Sequence, residues 1–450
     1  MADRVVLLSI PQLRHRDVTP GALASVEALV ARGGIVELVP PFPPLAAPSF
    51  ATLMTGTGPY EHGLIGNAYF DRDERRVRAA PLPDAEVRAP KLWERLKAAR
   101  PEAKTMLWFA PNSEGAAVDL AAGVDLSWIL STHPEGLASR LVERFGPFPG
   151  PQAAPAEPKP PARKEEWGSG FFARFDPRAA SERKRPRLEA TSWILRTAAA
   201  VIAEEAPDLA IVRVPYLGQI ARRHGPDGRE ASRAVRELEA VLGPFLRSLP
   251  RDVLVLVATE SVITPAEHPV YPNRILLGLG LLALRQAPGG GLDVDLDASA
   301  AFALADHQLC HIYLNDPGQA APVAAAFAGP HSDGIATVAS GPQRAALGLD
   351  HPHAGDVILV ASPECWFAPD WWTQRSDAPR SAHGTSGLAL ATTTSLIEPS
   401  HIKGSLGAPP PNPEYHGILV ASRAGVLGTR PRISAREVAP LVLRTWGLAK

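Results

Sequence analysis

Residues 42–67 read FPPLAAPSFATLMTGTGPYEHGLIGN and form the most informative stretch of the chain. It opens with a proline-rich loop. Residues 49–55 then predict a helix, and Gly56 follows where a glycine commonly ends a helix. A turn containing the sequence EHG comes shortly afterwards. The stretch therefore predicts a loop, a short helix and a turn in succession.

Short apolar runs alternate with helical patterns on both sides of this stretch. Upstream, residues 5–10 predict a buried strand, and residues 21–32 predict the amphipathic helix that follows it. Downstream, residues 252–258 read DVLVLVA and give the clearest buried strand in the chain. Such alternation is typical of βαβ units. It predicts an α/β fold with a mostly parallel central sheet and helices on both faces.

Charge and composition exclude several classes of function. The 450 residues carry 46 basic and 47 acidic side chains, so there is no basic excess to bind a nucleic-acid backbone. Two cysteines, Cys310 and Cys365, cannot form a disulfide framework and lack zinc-knuckle spacing. No stretch reaches the roughly 18 apolar residues of a membrane span, and the first apolar run is too short for a signal peptide. We therefore expect a cytoplasmic protein without nucleic-acid or membrane partners.

The composition changes abruptly at residues 146–187. This segment begins GPFPGPQAAPAEPKPP and ends in the basic run ERKRPR. Because such sequence buries too little apolar surface to order fully, we expect a partly mobile, proline-rich loop. We place it in a cap or insertion at residues 110–190 of one domain that spans residues 1–450. The basic run also suggests a nucleic-acid or localisation signal, which the neutral charge of the whole chain disfavours.

The second half of residues 42–67 closely resembles the type I phosphodiesterase/nucleotide pyrophosphatase branch of the alkaline phosphatase superfamily. In that branch a nucleophile loop leads into a helix ending in Thr-Gly, and a Pro-x-x-His-Gly-Ile-x-x-Asn turn follows. The matching positions are Thr55, Gly56, Pro59, His62, Gly63, Leu64 and Asn67. Further matches follow in the family's order at residues 5–14, 207–226, 253–264, 272–282, 306–315, 351–356 and 402–405. The resemblance implies an alkaline-phosphatase-like fold over nearly the whole chain and indicates a divergent bacterial member.

The resemblance also implies a chemistry. Members of this branch hydrolyse phosphodiesters with a Thr or Ser nucleophile and two zinc-type ions. One ion ionises the hydroxyl, and the other stabilises the leaving oxygen. Two dications roughly 4 Å apart need about six anionic or imidazole ligands. The residues at the corresponding positions therefore bear directly on whether this chain can carry out the reaction.

At those positions the chain lacks the required groups. The position that the resemblance implies for the nucleophile is Ala46, and the nearest hydroxyl belongs to Ser49. Four positions implied for metal ligands hold residues that are poor ligands or none: Pro11, Gly218, Ser261 and Leu406. These losses agree with one another, since uncharged replacements avoid the repulsion and desolvation cost of an empty metal site. They predict a degenerate member without a catalytic nucleophile or a metal cofactor.

Three residues offer an alternative. Glu260, His224 and His383 could together hold a single divalent, zinc-type ion. That ion could activate a water molecule or the hydroxyl of Ser49. The alternative hypothesis is therefore an active, metal-dependent phosphodiesterase or phosphatase with relocated residues.

The ends of the predicted strands should meet at one crevice, where α/β sheets bind their ligands. Its possible pocket residues are Asn67, Glu260, Asp306 and His307. His62 in the EHG turn is predicted to be structural rather than a catalytic base. The favoured hypothesis is a pseudoenzyme that binds an unidentified ligand or protein partner.

Overall fold

The computed structural model describes residues 4–124, 129–149, 186–286, 292–373 and 401–448. Within these ranges the strands are β1 Val5–Ser9, β2 Gly34–Val39, β3 Ala68–Asp71, β4 Arg76–Ala79, β5 Thr105–Trp108, β6 Leu120–Val124, β7 Leu130–His133, β8 Leu209–Arg213, β9 Leu254–Ala258, β10 Thr264–Val270, β11 Leu284–Gln286, β12 Leu292–Val294, β13 Ala301–Asp306, β14 Leu309–Leu314, β15 Ile335–Ser340, β16 Val357–Ala361, β17 Glu364–Phe367, β18 Gly404–Ser405, β19 Gly417–Ala421 and β20 Arg432–Ser434. The α-helices are Ala24–Arg32, Ala46–Thr55, Pro59–His62, Leu92–Ala99, Leu137–Phe145, Pro186–Glu205, Leu217–His224, Arg229–Ser248, Pro272–Gly278, Ala320–Ala328, Gln343–Ala346 and Val438–Thr445. Short 3₁₀ helices occur at His15–Asp17, Asp84–Glu86, Pro317–Gln319, Pro413–Tyr415 and Ala435–Glu437.

Nine strands form the central sheet, in the order β20–β2–β19–β9–β1–β8–β5–β6–β7. Five neighbouring pairs are parallel. The other three pairs involve β19 or β7 and are antiparallel. The predicted α/β fold with a mostly parallel central sheet is confirmed.

The middle of this sheet is covered on both faces. Every residue of β1 and β9 is buried. Because side chains alternate along a strand, Val6 and Leu8 pack in one apolar cluster, whereas Val5 and Leu7 pack in another on the opposite face. The second cluster contains side chains of the helix Ala46–Thr55. Apolar runs without polar alternation are typical of strands buried in this way.

A second sheet is antiparallel and separate from the central sheet. Its four strands lie in the order β13–β14–β16–β15. The residues between β13 and β14, His307 and Gln308, are 7% and 1% exposed. The backbone N–H of Gln308 donates to the carbonyl oxygen of Leu406 at 2.8 Å, so this turn contacts the C-terminal segment of the chain.

The predicted cap falls partly outside the described residues. Residues 150–185, which hold most of the predicted loop, are among those not described. Within the expected cap, β6 and β7 extend one edge of the central sheet. The division into a domain with a cap at residues 110–190 stays a prediction. None of the described helices is long and apolar enough to cross a membrane.

Candidate active-site crevice

The carboxyl ends of β8, β1 and β9 lie side by side in the central sheet. In this register Ser9, at the end of β1, is opposite Arg213 of β8 and Ala258 of β9. Glu260 lies two residues after Ala258, just beyond the end of β9. Its side chain therefore lies at the same ends of the strands as those of Ser9 and Arg213. Parallel strands of open α/β sheets place their ligand-binding residues at this end.

The carboxylate of Glu260 is buried, and both of its oxygens accept hydrogen bonds. Its side chain is 0% exposed. The Nε of Arg213 donates to Oε1 and Oε2 of Glu260 at 3.0 and 3.1 Å, and Nη2 of Arg213 also donates to Oε1. The hydroxyl of Ser9 donates to Oε2 at 2.7 Å. The sequence suggested Glu260 as a metal ligand, but the structure gives this carboxylate a guanidinium and a hydroxyl as partners.

Ala46, the position implied for the nucleophile, is the first residue of the helix Ala46–Thr55. The next backbone N–H, that of Ala47, donates to Oδ1 of Asn67 at 3.0 Å, which satisfies one of the unpaired groups at the helix start. Ser49 lies in the first turn of the same helix. Its hydroxyl is fully buried and has no hydrogen-bond partner among the described residues.

Asn67 also joins the helix start to the second sheet. Its backbone N–H and its Nδ2 donate to the two carboxylate oxygens of Asp306 at 2.7 and 3.0 Å. Burial raises the pKa of Asp306 to about 6, although the bonds from Asn67 and the charge of Arg222 act in the opposite direction. The structure therefore brings together two of the four predicted pocket residues, Asn67 and Asp306, while the pocket itself stays a prediction.

His307 follows Asp306 in a left-handed backbone conformation, with φ of 63°. Its Nδ1 is buried and has no hydrogen-bond partner in the described part of the chain. Burial holds the pKa of His307 well below its ordinary value, and the charge of Arg222 adds to this effect. The imidazole is therefore neutral at physiological pH and offers an acceptor or donor, not a charge.

At the four positions implied for metal ligands, the residues and their contacts are uncharged. Pro11 is buried, and a side chain at Gly218 would meet Cγ of Gln12 at 3.6 Å. Gln12 has a φ of 72°, its N–H donates to the carbonyl oxygen of Ser261 at 2.8 Å, and its Oε1 accepts from the N–H of Ile263. Leu406 is 7% exposed and packs in an apolar cluster.

One of the three residues of the alternative hypothesis lies outside the described structure, so that hypothesis stays a prediction. His224 is an exposed residue at the end of the helix Leu217–His224, and His383 lies outside the described residues. In the ranges given above, no group of three or more His, Cys, Asp or Glu side chains is placed to hold a metal ion. The donor set of the described residues therefore does not fit a pair of zinc-type ions.

His62 is fully buried and contacts the helix Ala46–Thr55. Its Nε2 lies 3.1 Å from the hydroxyl of Thr52, and its Nδ1 accepts the N–H of Leu64 at 3.2 Å. Burial lowers the pKa of His62 to about 3, and the charges of Arg436 and His351 add to that effect. The ring ties the EHG turn to the helix Ala46–Thr55, as the structural role predicted for it requires.

Sequence reasoning missed the two partners of Glu260. Arg213 ends a strand that reads LAIVR, and a charged residue at the end of an apolar strand was an available signal. Ser9 offered none, since in the sequence it lies inside the apolar run of residues 5–10. Their roles depend on the register of β1 with β8 and β9, which links parts of the chain far apart in sequence.

The sequence model of the family described as type I phosphodiesterase/nucleotide pyrophosphatase matches residues 5–386. The chain belongs to this family. Among curated proteins, this family member is similar to an uncharacterized pyrophosphatase/phosphodiesterase of Schizosaccharomyces pombe, with 22% identity over 310 residues. The match covers 65% of this chain and 52% of the yeast protein, so the chain spans about half the length of that relative.

Two solved structures share the fold of this family member. Human ectonucleotide pyrophosphatase/phosphodiesterase 5 is 12% identical, with a TM-score of 0.61 over 98% of this chain and 94% of the human chain. The phosphonoacetate hydrolase of Sinorhizobium meliloti 1021, in complex with phosphonoformate, is 13% identical, with a TM-score of 0.62 over 99% and 96% of the two chains. At these identities the likeness shows the fold alone.

Proposed function

We propose that this protein is a pseudoenzyme of the type I phosphodiesterase/nucleotide pyrophosphatase family, which binds a ligand or a protein partner in the cytoplasm. The observation that carries the proposal is that other side chains already bind the buried carboxylate of Glu260. This carboxylate sits at the strand ends where the family's chemistry would take place, and Arg213 and Ser9 already use its oxygens.

A guanidinium and a metal ion compete for the same carboxylate. To coordinate a dication, Glu260 would have to break a buried, charge-assisted ion pair, and Arg213 would then lie beside a second positive charge. Removing one partner of a buried pair typically costs about 3–5 kcal/mol. Additional carboxylate or imidazole ligands could supply that energy, but none of the described residues is placed to do so.

The nucleophile is the second argument. Ala46 offers no hydroxyl, and the hydroxyl of Ser49 is sealed from solvent. A nucleophile must reach the phosphorus atom and pass its proton to a base or a metal-bound hydroxide. An enclosed hydroxyl without a hydrogen-bond partner among the described residues has neither access nor a proton acceptor in reach.

Turnover of an activated phosphodiester tests the proposal. The full-length chain is treated with a chelator, divided, and assayed with bis(p-nitrophenyl) phosphate and p-nitrophenyl phosphate, with zinc, manganese or no metal added. The chain and a Glu260→Ala variant should both release nitrophenol at the rate of buffer with the same metal. Metal-dependent turnover that is lost in Glu260→Ala would favour the active, relocated site instead.

A further inference from the structure

Three histidines lie close together between the EHG turn and the loop that precedes β16. His62 ends the helix Pro59–His62, whereas His351 and His353 belong to the loop at residues 347–356. The rings of His351 and His353 meet edge to face, with their centroids 4.7 Å apart. The charge of His351 acts on His62 as well. His62, His351 and His353 are called the histidine cluster below.

Two hydrogen bonds of the cluster require neutral rings. Nδ1 of His62 accepts the N–H of Leu64 at 3.2 Å, and Nδ1 of His351 accepts the N–H of His353 at 3.2 Å. A protonated imidazole carries a hydrogen on both ring nitrogens and accepts no hydrogen bond. Protonation would therefore break one bond within the EHG turn and one within the loop at residues 347–356.

Positive charges face the cluster from two sides. Arg88 joins the two segments, since its N–H donates to the carbonyl oxygen of His62 at 3.0 Å and its Nη1 lies 3.4 Å from Nε2 of His351. Arg436 acts on His62 as a second positive charge. The neighbouring carboxylates already have arginine partners, which are Arg78 for Asp71 and Glu86, Arg72 for Asp356, and Arg344 for Asp350.

The other titratable groups around the loop are neutral. Tyr69 of β3 stacks on the ring of His353 with the centroids 4.1 Å apart, and the hydroxyl of Tyr313 of β14 donates to the carbonyl oxygen of His353 at 2.8 Å. Nδ1 of His311, also on β14, accepts the N–H of Gly355 at 3.2 Å. Burial raises the pKa of both tyrosines and lowers the pKa of His311 to about 4.

These surroundings oppose protonation of the cluster. Burial and nearby positive charges lower the pKa of His62 to about 3 and that of His351 to about 4. Burial and the charge of Arg88 also lower the pKa of His353, although Glu86 and Asp71 act in the opposite direction. A histidine released to water regains its ordinary value of 6.5. The closed arrangement is therefore most stable above pH 6.5 and loses stability as the pH falls toward 4.

We propose that the histidine cluster is an acid-sensitive latch, which holds the loop at residues 347–356 against the EHG turn at neutral pH and releases it in acid while the central sheet stays folded. Release also reaches the crevice, because Asn67 follows the EHG turn closely in the chain and binds both the helix start at Ala47 and Asp306. The latch does not depend on whether the crevice binds a ligand or hydrolyses one.

Hydrogen exchange of the full chain tests the latch. Exchange is followed by mass spectrometry at pH 7.5 and pH 5.0 and is corrected for the intrinsic effect of pH. A histidine whose pKa rises from 3 or 4 to 6.5 on release favours opening by about 30-fold more at the lower pH. Peptides that cover residues 59–67 and 349–356 should therefore lose at least that much protection, whereas peptides that cover β9 should keep theirs.

A variant with two of the rings replaced shows whether the histidines cause this loss. In His351→Asn/His353→Phe, the asparagine keeps an oxygen that can accept the N–H of residue 353, and the phenylalanine keeps the stack on Tyr69. The acid-induced loss of protection at residues 59–67 should be about 30-fold smaller or more in this variant. The control His268→Gln, which replaces an exposed histidine of β10, should respond to acid as the unaltered chain does.

Two results would overturn the inference. Equal losses of protection in both peptides and in β9 would show global unfolding in acid rather than a local release. An equal acid response in the unaltered chain and the double variant would show that the two rings are not the cause. If the double variant does not fold, the exchange of the unaltered chain decides alone. None of these outcomes bears on the proposed function, which is tested by turnover.

Discussion

The substitution Asp306→Asn should remove one contribution to the pH dependence of the free energy of unfolding. The pKa of Asp306 is about 6 in the folded chain against an ordinary value of 3.8, chiefly because the side chain is buried. A carboxyl whose pKa is raised by folding binds its proton more tightly in the folded state. Its contribution to stability is therefore complete below pH 3.8 and is lost as the pH rises through 6.

The magnitude follows from the difference between the two pKa values. About two pH units, at 1.36 kcal/mol for each, correspond to roughly 3 kcal/mol. An asparagine at position 306 does not titrate and keeps one oxygen to accept from the N–H of Asn67. The loss of the second hydrogen bond adds a constant of about 1 kcal/mol that does not vary with pH.

The assay is urea unfolding of both proteins at pH 4, 5, 6 and 7. The free energy of unfolding of Asp306→Asn, measured relative to the unaltered chain, should rise by about 2.4 kcal/mol from pH 4 to pH 7, because the rest of the roughly 3 kcal/mol is lost below pH 4. Titration of every other group cancels in this difference to first order. A difference that stays constant over this range, or that falls, would refute the reasoning.

Asp119→Asn is a control with the opposite sign. Burial raises the pKa of Asp119, but hydrogen bonds from Lys97 and Thr105 and the charge of Lys97 outweigh burial and lower the pKa overall. Its contribution to stability is present above the unfolded value and is lost as the pH falls. Relative to the unaltered chain, the stability of this variant should therefore change little between pH 4 and pH 7 and should rise only as the pH falls below the ordinary value of 3.8.

Three further substitutions test other contacts. His62→Gln should lose less stability in acid than the unaltered chain. Burial and nearby positive charges lower the pKa of His62 to about 3, so the native state of the unaltered chain loses stability as the pH falls below 6.5. Urea unfolding at pH 7 and pH 4.5 checks this, and equal losses of stability in the two proteins would count against it. Ser49→Ala should raise the free energy of unfolding by about 1 kcal/mol, since it removes a buried hydroxyl without a hydrogen-bond partner among the described residues, whereas a loss of stability would show that the hydroxyl is bonded in solution. Lys91→Met should lower the free energy of unfolding by about 3–5 kcal/mol. The ammonium of Lys91 lies 2.8 Å from Oδ2 of Asp84, and both side chains are less than a tenth exposed, so the substitution leaves a buried carboxylate without its cation. A change below about 1 kcal/mol would contradict a strong, buried ion pair.

The fold could be predicted from the sequence because its signals are local and ordered. The run of β9, LVLVA, is buried at every residue, and residues 42–67 form the loop, helix and turn that their pattern indicates. The family match over residues 5–386 agrees with the order of the motifs. Each of these features is set by a few neighbouring residues or by chain order alone.

The crevice was only partly predictable. The proposal that positions such as Ala46 and Leu406 are vacant comes from comparing the chain with the family's motifs, because the residue type at a position is visible in the sequence. The partners of Glu260 are not, since Arg213 and Ser9 reach it through the register of three strands. A lone glutamate after a strand is equally compatible with a metal ligand and with a buried ion pair, and only its neighbours distinguish the two.

The metal content of the purified protein distinguishes a metal-free pseudoenzyme from a metal-dependent enzyme. The full chain, expressed in medium supplemented with zinc and manganese and purified without chelator, is analysed by inductively coupled plasma mass spectrometry beside Glu260→Ala. We predict far less than one equivalent of zinc, manganese or iron in both proteins, because the carboxylate of Glu260 is bound by Arg213. One or more equivalents in the unaltered chain, with a clear loss in Glu260→Ala, would contradict the account.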